Sequence, residues 1–299
     1  MSISKSVAAL VCAAALVLLP GCKASAPQAR TSQSRSATGR QRDGARLDRF
    51  WARALQETYR SPQELAAQHA RELRHGLRYD LLVRGNPGER AVALTFDDGP
   101  HPDYTPRLLA ILRRYGVPAT FFVVGEMAEA HPELIRAERA AGHVIGNHTY
   151  HHVNLTRIPT PEIATEWQAC QEVVQSITGE AMHFCRPPGG DYDRDVIAAA
   201  TALGLTTVLW TDDPGDYARP GDRTIETRVL ARVSNGGIIL IHDGVQQTID
   251  VLPQIIHILK QRGFSFVTVA DMRQGSLSPW GPTQGAGQRM GESRNRRGQ

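Results

Sequence analysis

Ala91-Val92-Ala93-Leu94-Thr95-Phe96-Asp97-Asp98-Gly99-Pro100 is a short apolar run that ends in two carboxylates and a Gly-Pro break. A run of this length, rich in residues that suit a pleated surface, reads as a strand buried on both faces, with ionisable groups at its exit. The pattern recurs four times. His143-Val144-Ile145-Gly146 leads into Asn147-His148-Thr149-Tyr150-His151-His152, and His183-Phe184-Cys185 into Arg186-Pro187-Pro188-Gly189-Gly190. Thr206 to Trp210 leads into Thr211-Asp212-Asp213-Pro214-Gly215-Asp216-Tyr217, and Gly237 to Ile241 into His242-Asp243-Gly244.

Helix-length segments separate these runs. Strands are expected near 91–96, 119–124, 143–146, 182–185, 206–210, 237–241 and 265–269, and helices near 104–115, 132–141, 161–178, 194–203, 224–233 and 247–262. Gly116, Gly142, Gly179, Gly204 and Gly263 follow the expected helix ends, where a left-handed residue is wanted. Such alternation means one α/β domain with parallel strands, open or barrel-shaped, whose polar clusters meet at one mouth. Upstream, apolar residues spaced by three and four over 46–75, with Ser61-Pro62 as a helix start, predict two helices packed on the outside of that domain.

The ends have a different character. Lys5 followed by the apolar stretch Val7–Leu19 reads as a signal peptide over 1–21. Leu19-Pro20-Gly21-Cys22 resembles a bacterial lipoprotein box, which would make Cys22 an acylated first residue and tether the protein to a membrane of the cell envelope, on the periplasmic face. Residues 22–45 and 273–299 carry almost none of the large apolar side chains that a core needs, and are expected to be a disordered basic linker and a disordered tail. The net charge of +4 is misleading, because the basic excess sits in these ends and residues 61–272 are about seven negative. Nucleic acid is therefore a poor partner for the folded part. Of the four cysteines only Cys170 and Cys185 fall in the folded part, where a bridge and two buried thiols are both open readings. Nothing in the sequence speaks to oligomeric state.

The clusters support hydrolytic chemistry. His148 and His152, four apart, can face one ion if they share a helical turn, and Asp98 would complete a two-His-one-carboxylate set with open coordination positions. An ion so held acidifies water and polarises a carbonyl. Asp97 can then take a proton, and His242, oriented and made more basic by Asp216, can give one to a departing amine. Arg186 would aim Asp97. His151 reads as solvent-facing or as a supporting residue.

With these residues in view, the chain over about 85–272 resembles the polysaccharide deacetylases with a NodB homology domain, carbohydrate esterase family 4. Five motifs of that family stand in order: Thr95-Phe96-Asp97-Asp98-Gly99-Pro100, His148-Thr149-Tyr150-His151-His152, Arg186-Pro187-Pro188-Gly189-Gly190, Asp213-Pro214-Gly215-Asp216-Tyr217 and Leu240-Ile241-His242. The resemblance implies an α/β fold, a distorted (β/α) barrel over 81–272 preceded by a helical extension over 46–80. It also implies one divalent metal ion, usually zinc, with cobalt or nickel able to serve, on Asp98, His148 and His152. Asp97 would be the base and His242 the acid, positioned by Arg186 and Asp216. The Gly189 N–H would donate to the oxyanion, Leu240 would line the acetyl pocket and Tyr217 would wall the cleft.

Gly189 stands where the family often has Tyr, and Tyr217 where Trp is commoner, so the sugar subsites are expected to be wider. The function implied is removal of N-acetyl groups from an amino-sugar polymer: peptidoglycan, a chitin-like chain or an exopolysaccharide. An O-acetyl xylan esterase, a small-amide hydrolase and a catalytically silent sugar-binding protein are the alternatives on the same scaffold.

Overall fold

The computed structural model describes residues 49–51, 54 and 58–275. The expected signal peptide 1–21, Cys22, the linker 22–45 and the tail beyond residue 275 lie outside the described residues. Among the described residues no helix is long and apolar enough to cross a membrane.

Eight parallel strands form one curled sheet: β1 Leu81–Leu82, β2 Ala91–Asp97, β3 Thr120–Val123, β4 Val144–Asn147, β5 Phe184–Cys185, β6 Thr206–Val208, β7 Gly237–His242 and β8 Ser265–Val267. Their order is β1-β6-β5-β4-β3-β2-β7, with β8 alongside the start of β2. The chain beyond β6 then reaches β7: Asp212 bridges Ile239, and the Leu240 N–H donates to the Asp212 carbonyl at 2.9 Å. With the Thr211 and Asp212 N–H groups donating to the Ile238 carbonyl at 2.9 and 3.2 Å, this contact closes the curl into a distorted (β/α) barrel. β2, β3 and β7 are buried throughout, as strands sandwiched between helices and a filled interior must be.

Six helices fall within three residues of the expected spans, at Thr105–Tyr115, Pro132–Ala140, Thr160–Thr178, Arg194–Ala202, Asp222–Arg232 and Gln246–Gln261. Three elements were not anticipated. β1 is only two residues long, too short to show a period, and Gly125–Ala130 forms a helix that begins on a residue the pattern reads as a breaker. That helix places its first N–H groups on the carbonyls of Thr149 and Tyr150, at 2.9 and 3.0 Å, and so steadies the loop after β4. A further helix, Val269–Gln274, crosses the boundary expected at 272/273, nucleated by a capping box of Thr268 and Asp271.

The N-terminal extension departs most from expectation. Helix Pro62–Arg74 does start at the Ser61 cap, with a reciprocal capping box through Glu64, and buries Leu65 completely. Residues 49–51 and 54, also helical, do not lie on the outer flank: Phe50 and Ala54 are buried with Val124 and Met127, at the end of the barrel where β3 stops. Cys170 and Cys185 are unbridged. Cys170 points its thiol at the Val123 carbonyl and Cys185 at the Thr207 hydroxyl, both at 3.5 Å, and burial pushes the Cys185 thiol up to about 12.

Candidate active site

Parallel pairing brings the five polar clusters to one end of the barrel. In the β2–β7 register Asp97 stands opposite His242, and Thr95 opposite Leu240, so these four residues occupy two successive levels of adjacent strands. Beyond Asp97 the chain turns sharply. Asp98 adopts φ 74°, and Gly99 lies so close to Asp243 that a Cβ there would sit 2.7 Å from its Oδ2. The Asp243 N–H donates to the Asp97 carbonyl and the Val124 N–H to the Gly99 carbonyl, each at 2.9 Å, which fixes the turn from two sides. Both carboxylates thereby face the interior of the mouth.

Arg186 lies beneath them, fully buried. Its Nη1 donates to Asp97 Oδ1 at 2.6 Å and to the Thr95 hydroxyl at 2.9 Å, and its Nε to the Val208 carbonyl at 3.2 Å. The Phe122 ring covers one face of the guanidinium at 4.2 Å. Burial pulls the guanidinium down from its ordinary value and Asp97 opposes this, so Arg186 keeps its charge. The bridge leaves Asp97 Oδ2 uncommitted to any hydrogen bond among the described residues.

The two histidines are not on a helical turn. They lie in an irregular loop in which Thr149 and His152 take φ of 66° and 55°. The loop is shaped by its own side chains: the Thr149 N–H donates to Asn147 Oδ1 at 2.9 Å, and the His152 N–H to the Thr149 hydroxyl at 3.0 Å. The result still sets the imidazoles 4.9 Å apart, centre to centre. His151 points outward and pairs with Glu166 at 2.7 Å.

Whether the set suits a cation can be read from His148. Its Nδ1 contacts the Arg186 carbonyl at 2.7 Å, an acceptor, so that nitrogen carries the proton and Nε2 presents a lone pair. Nε2 faces Asp98 Oδ1 at 3.5 Å and Asp97 Oδ2 at 3.7 Å, acceptor against acceptor. His152 Nε2 approaches the same Asp98 Oδ1 at 3.0 Å. Donors sharing one ion at bond lengths of about 2.1 Å stand about 3.0–3.5 Å apart, so Asp98, His148 and His152 fit a divalent cation. Burial would raise the Asp98 carboxyl, but the charge of His152 beside it outweighs this and holds the group well below the usual carboxylate range.

Across the mouth, His242 is gripped by Asp216. The backbone N–H of His242 donates to Asp216 Oδ2 and its Nδ1 to Oδ1, both at 2.8 Å, while the Thr248 hydroxyl donates to Oδ2 at 2.5 Å. Burial favours the neutral ring, yet Asp216, with Asp98 and Asp97 behind it, pushes the imidazole up to about 10. Its Nε2 has no hydrogen-bond partner among the described residues and is the atom left to exchange a proton. Leu240 is fully buried on the same face of β7, two residues earlier. Tyr217 lies edge-on to His242 at 5.3 Å, and Gly189, with φ 65°, follows in the turn after β5.

The site also holds residues that sequence reasoning passed over. Thr95 and Thr248 support Arg186 and Asp216, and neither can be told in sequence from an ordinary strand or helix threonine. Tyr59 and Phe50, from the extension, touch His242 at 4.9 Å and His152 at 5.7 Å, with no local pattern to announce it.

A family model described as polysaccharide deacetylase matches residues 84–208. A chitooligosaccharide deacetylase of Bradyrhizobium sp. (strain ANU 289) is 40% identical over 203 residues, which cover 62% of this chain and 93% of the relative. A solved peptidoglycan N-acetylglucosamine deacetylase, in complex with 4-naphthalen-1-yl-N-oxidanyl-benzamide, superposes with a TM-score of 0.63 at 36% identity, covering 65% of this chain and 92% of that one. A family pseudoenzyme of Bacillus anthracis superposes with the same TM-score, 0.63, at 27% identity, covering 66% of this chain and 70% of that one.

Proposed function

This chain belongs to the polysaccharide deacetylase family, carbohydrate esterase family 4, and on that footing we propose that it hydrolyses N-acetyl groups of an amino-sugar polymer with a divalent metal, zinc in first place, on Asp98, His148 and His152. The observation that carries the reading is the convergence of those three ligand atoms beside Asp97, level with His242 on the neighbouring strand. The bound cation would acidify a water and draw charge onto the acetyl oxygen.

The remaining work falls to the chain. Asp97 accepts the proton of the attacking water at Oδ2, because Oδ1 is held by Arg186. The N–H of Gly189 adds a donor to the carbonyl oxygen as it gains charge. Leu240 offers an apolar wall for the methyl group. His242 protonates the sugar nitrogen from Nε2 as the C–N bond breaks, with Asp216 fixing the ring and stabilising its charged form. Water and amide thus become acetate and free amine. No ionisable group of this set is missing, which speaks against a silent binding protein.

Acetate release from N-acetylglucosamine oligomers and from peptidoglycan, with zinc and with a chelator, tests the reading and chooses between the two polymers. Release from acetylated xylan alone, or from none of these with zinc present, rejects it. We propose further that the protein is exported and held to the envelope membrane through a lipid on Cys22. Fatty-acid labelling that persists in a Cys22→Ser variant refutes that placement.

A further inference from the structure

We propose that Tyr59 of the N-terminal extension is a substrate-determining residue, whose ring forms the aromatic wall against which the acetylated sugar unit packs. The inference rests on the deacetylase reading and extends it to a segment that lies outside the matched family model.

The chemistry fixes where the sugar must be. Its C2 nitrogen has to come within hydrogen-bond reach of His242 Nε2 and its acetyl oxygen within reach of the Gly189 N–H. Tyr59 is next to both residues. Its ring is 4.9 Å from the His242 ring in an edge contact, and the next residue, Arg60, donates its N–H to the Gly189 carbonyl at 3.0 Å. A pyranose held by both groups is therefore in van der Waals reach of the Tyr59 ring.

That ring belongs to a larger surface. Tyr59 lies 4.2 Å from Tyr217 at an interplanar angle of 37°, with Trp210 behind at 6.3 Å. Tyr59 and Tyr217 are both half-buried. Aromatic faces of this kind suit the axial C–H faces of sugars, apolar bodies with polar rims. Gly189 itself has no side chain to offer there, and the extension brings one from a distant part of the sequence.

The wall is anchored rather than loose. Ser61 caps the helix that begins at Pro62, Leu65 of that helix is fully buried, and Gln68 donates to the Tyr192 carbonyl at 3.2 Å. Tyr59 thus leaves a fixed helix start, with little conformational freedom to lose when sugar binds.

The test uses the full chain loaded with zinc, with N-acetylglucosamine tetramer as substrate and glucosamine tetramer as an unreactive ligand. Tyr59→Ala is expected to raise KM and the ligand Kd about tenfold, the loss of roughly one aromatic contact, with a smaller effect on kcat. Tyr59→Phe keeps the ring and is expected to restore both constants; a matching melting temperature for the two variants separates contact from folding. Unchanged KM and Kd in Tyr59→Ala, or a gain in kcat/KM, overturns the inference, the gain showing a plug instead of a wall. If the unaltered protein releases no acetate while Asp97→Asn and Tyr59→Ala bind the ligand as it does, the deacetylase reading fails as well.

Discussion

Replacing Asp216 by Asn removes one charge from the centre of a fully buried network while keeping its shape. Asp216 accepts three hydrogen bonds, two from His242 at 2.8 Å and one from Thr248 at 2.5 Å. With the charges about 4 Å apart and an effective dielectric of about 20, the attraction is worth roughly 4 kcal/mol, or about three pKa units. Burial then dominates, and His242, which Asp216 and the other carboxylates hold at about 10 against that burial, falls to its ordinary value or below. A raised histidine keeps its proton up to its folded pKa, so the limb lost first as pH rises is the acid's. The alkaline limb of kcat should therefore move down by about three units in Asp216→Asn, and kcat at pH 7, where part of the imidazole is still protonated, should drop several-fold and fall steeply above that pH. A bound cation repels the imidazolium in both proteins alike, so the difference between them carries the test. Acetate release over about pH 5–10 measures it. An alkaline limb that stays in place in the variant would refute the argument, whatever happens to the rate.

Asp97→Asn should retain metal and lose most turnover, whereas His148→Ala should lose both; metal content of the purified proteins, read beside kcat, distinguishes them. Asp212 is buried with no partner for either carboxylate oxygen among the described residues, and burial raises it to about 7 against an ordinary 3.8, Arg232 opposing. The sign follows: its stabilising share is complete below about pH 4 and is lost as pH rises through 7, so Asp212→Asn should gain about 2–4 kcal/mol relative to the parent at pH 8 and little at pH 4 in urea melts. Equal changes at both pH values would contradict this. Gly146→Ala would place a Cβ 2.5 Å from the Phe122 ring that covers Arg186, and should cost about 1–3 kcal/mol and lower kcat more than it changes KM, checked by melts and steady-state rates.

Much of the site was legible because buried parallel strands write themselves as apolar runs and must end in their chemistry. Asp97, Asp98, His148, Arg186 and His242 all stand at strand exits, where that rule places them. What could not be read was register and loop shape. That Asp97 faces His242 follows from pairing across 145 residues of sequence, which no local pattern records. The histidine pair converges through the left-handed turn at Thr149 and the Asn147 side chain, where spacing alone suggested a helical turn. Tyr59 was invisible for the same reason: its partners lie on three other segments, and a lone tyrosine before Ser-Pro carries no period. The cysteines show the converse. A spacing compatible with a bridge gave way to packing: the Cys170 thiol meets the Val123 carbonyl and the Cys185 thiol the Thr207 hydroxyl.

The pairing of β2 with β7 has a consequence for motion. Two groups that trade protons with the same substrate spring from backbones tied rung by rung, so thermal breathing displaces them together. Loops at the mouth can open or narrow the entrance without stretching the span between Asp97 and His242. On the proposed reading, admission of the substrate and transfer of the proton are thereby governed by separate parts of one chain, and each can be tuned while the other is left as it is.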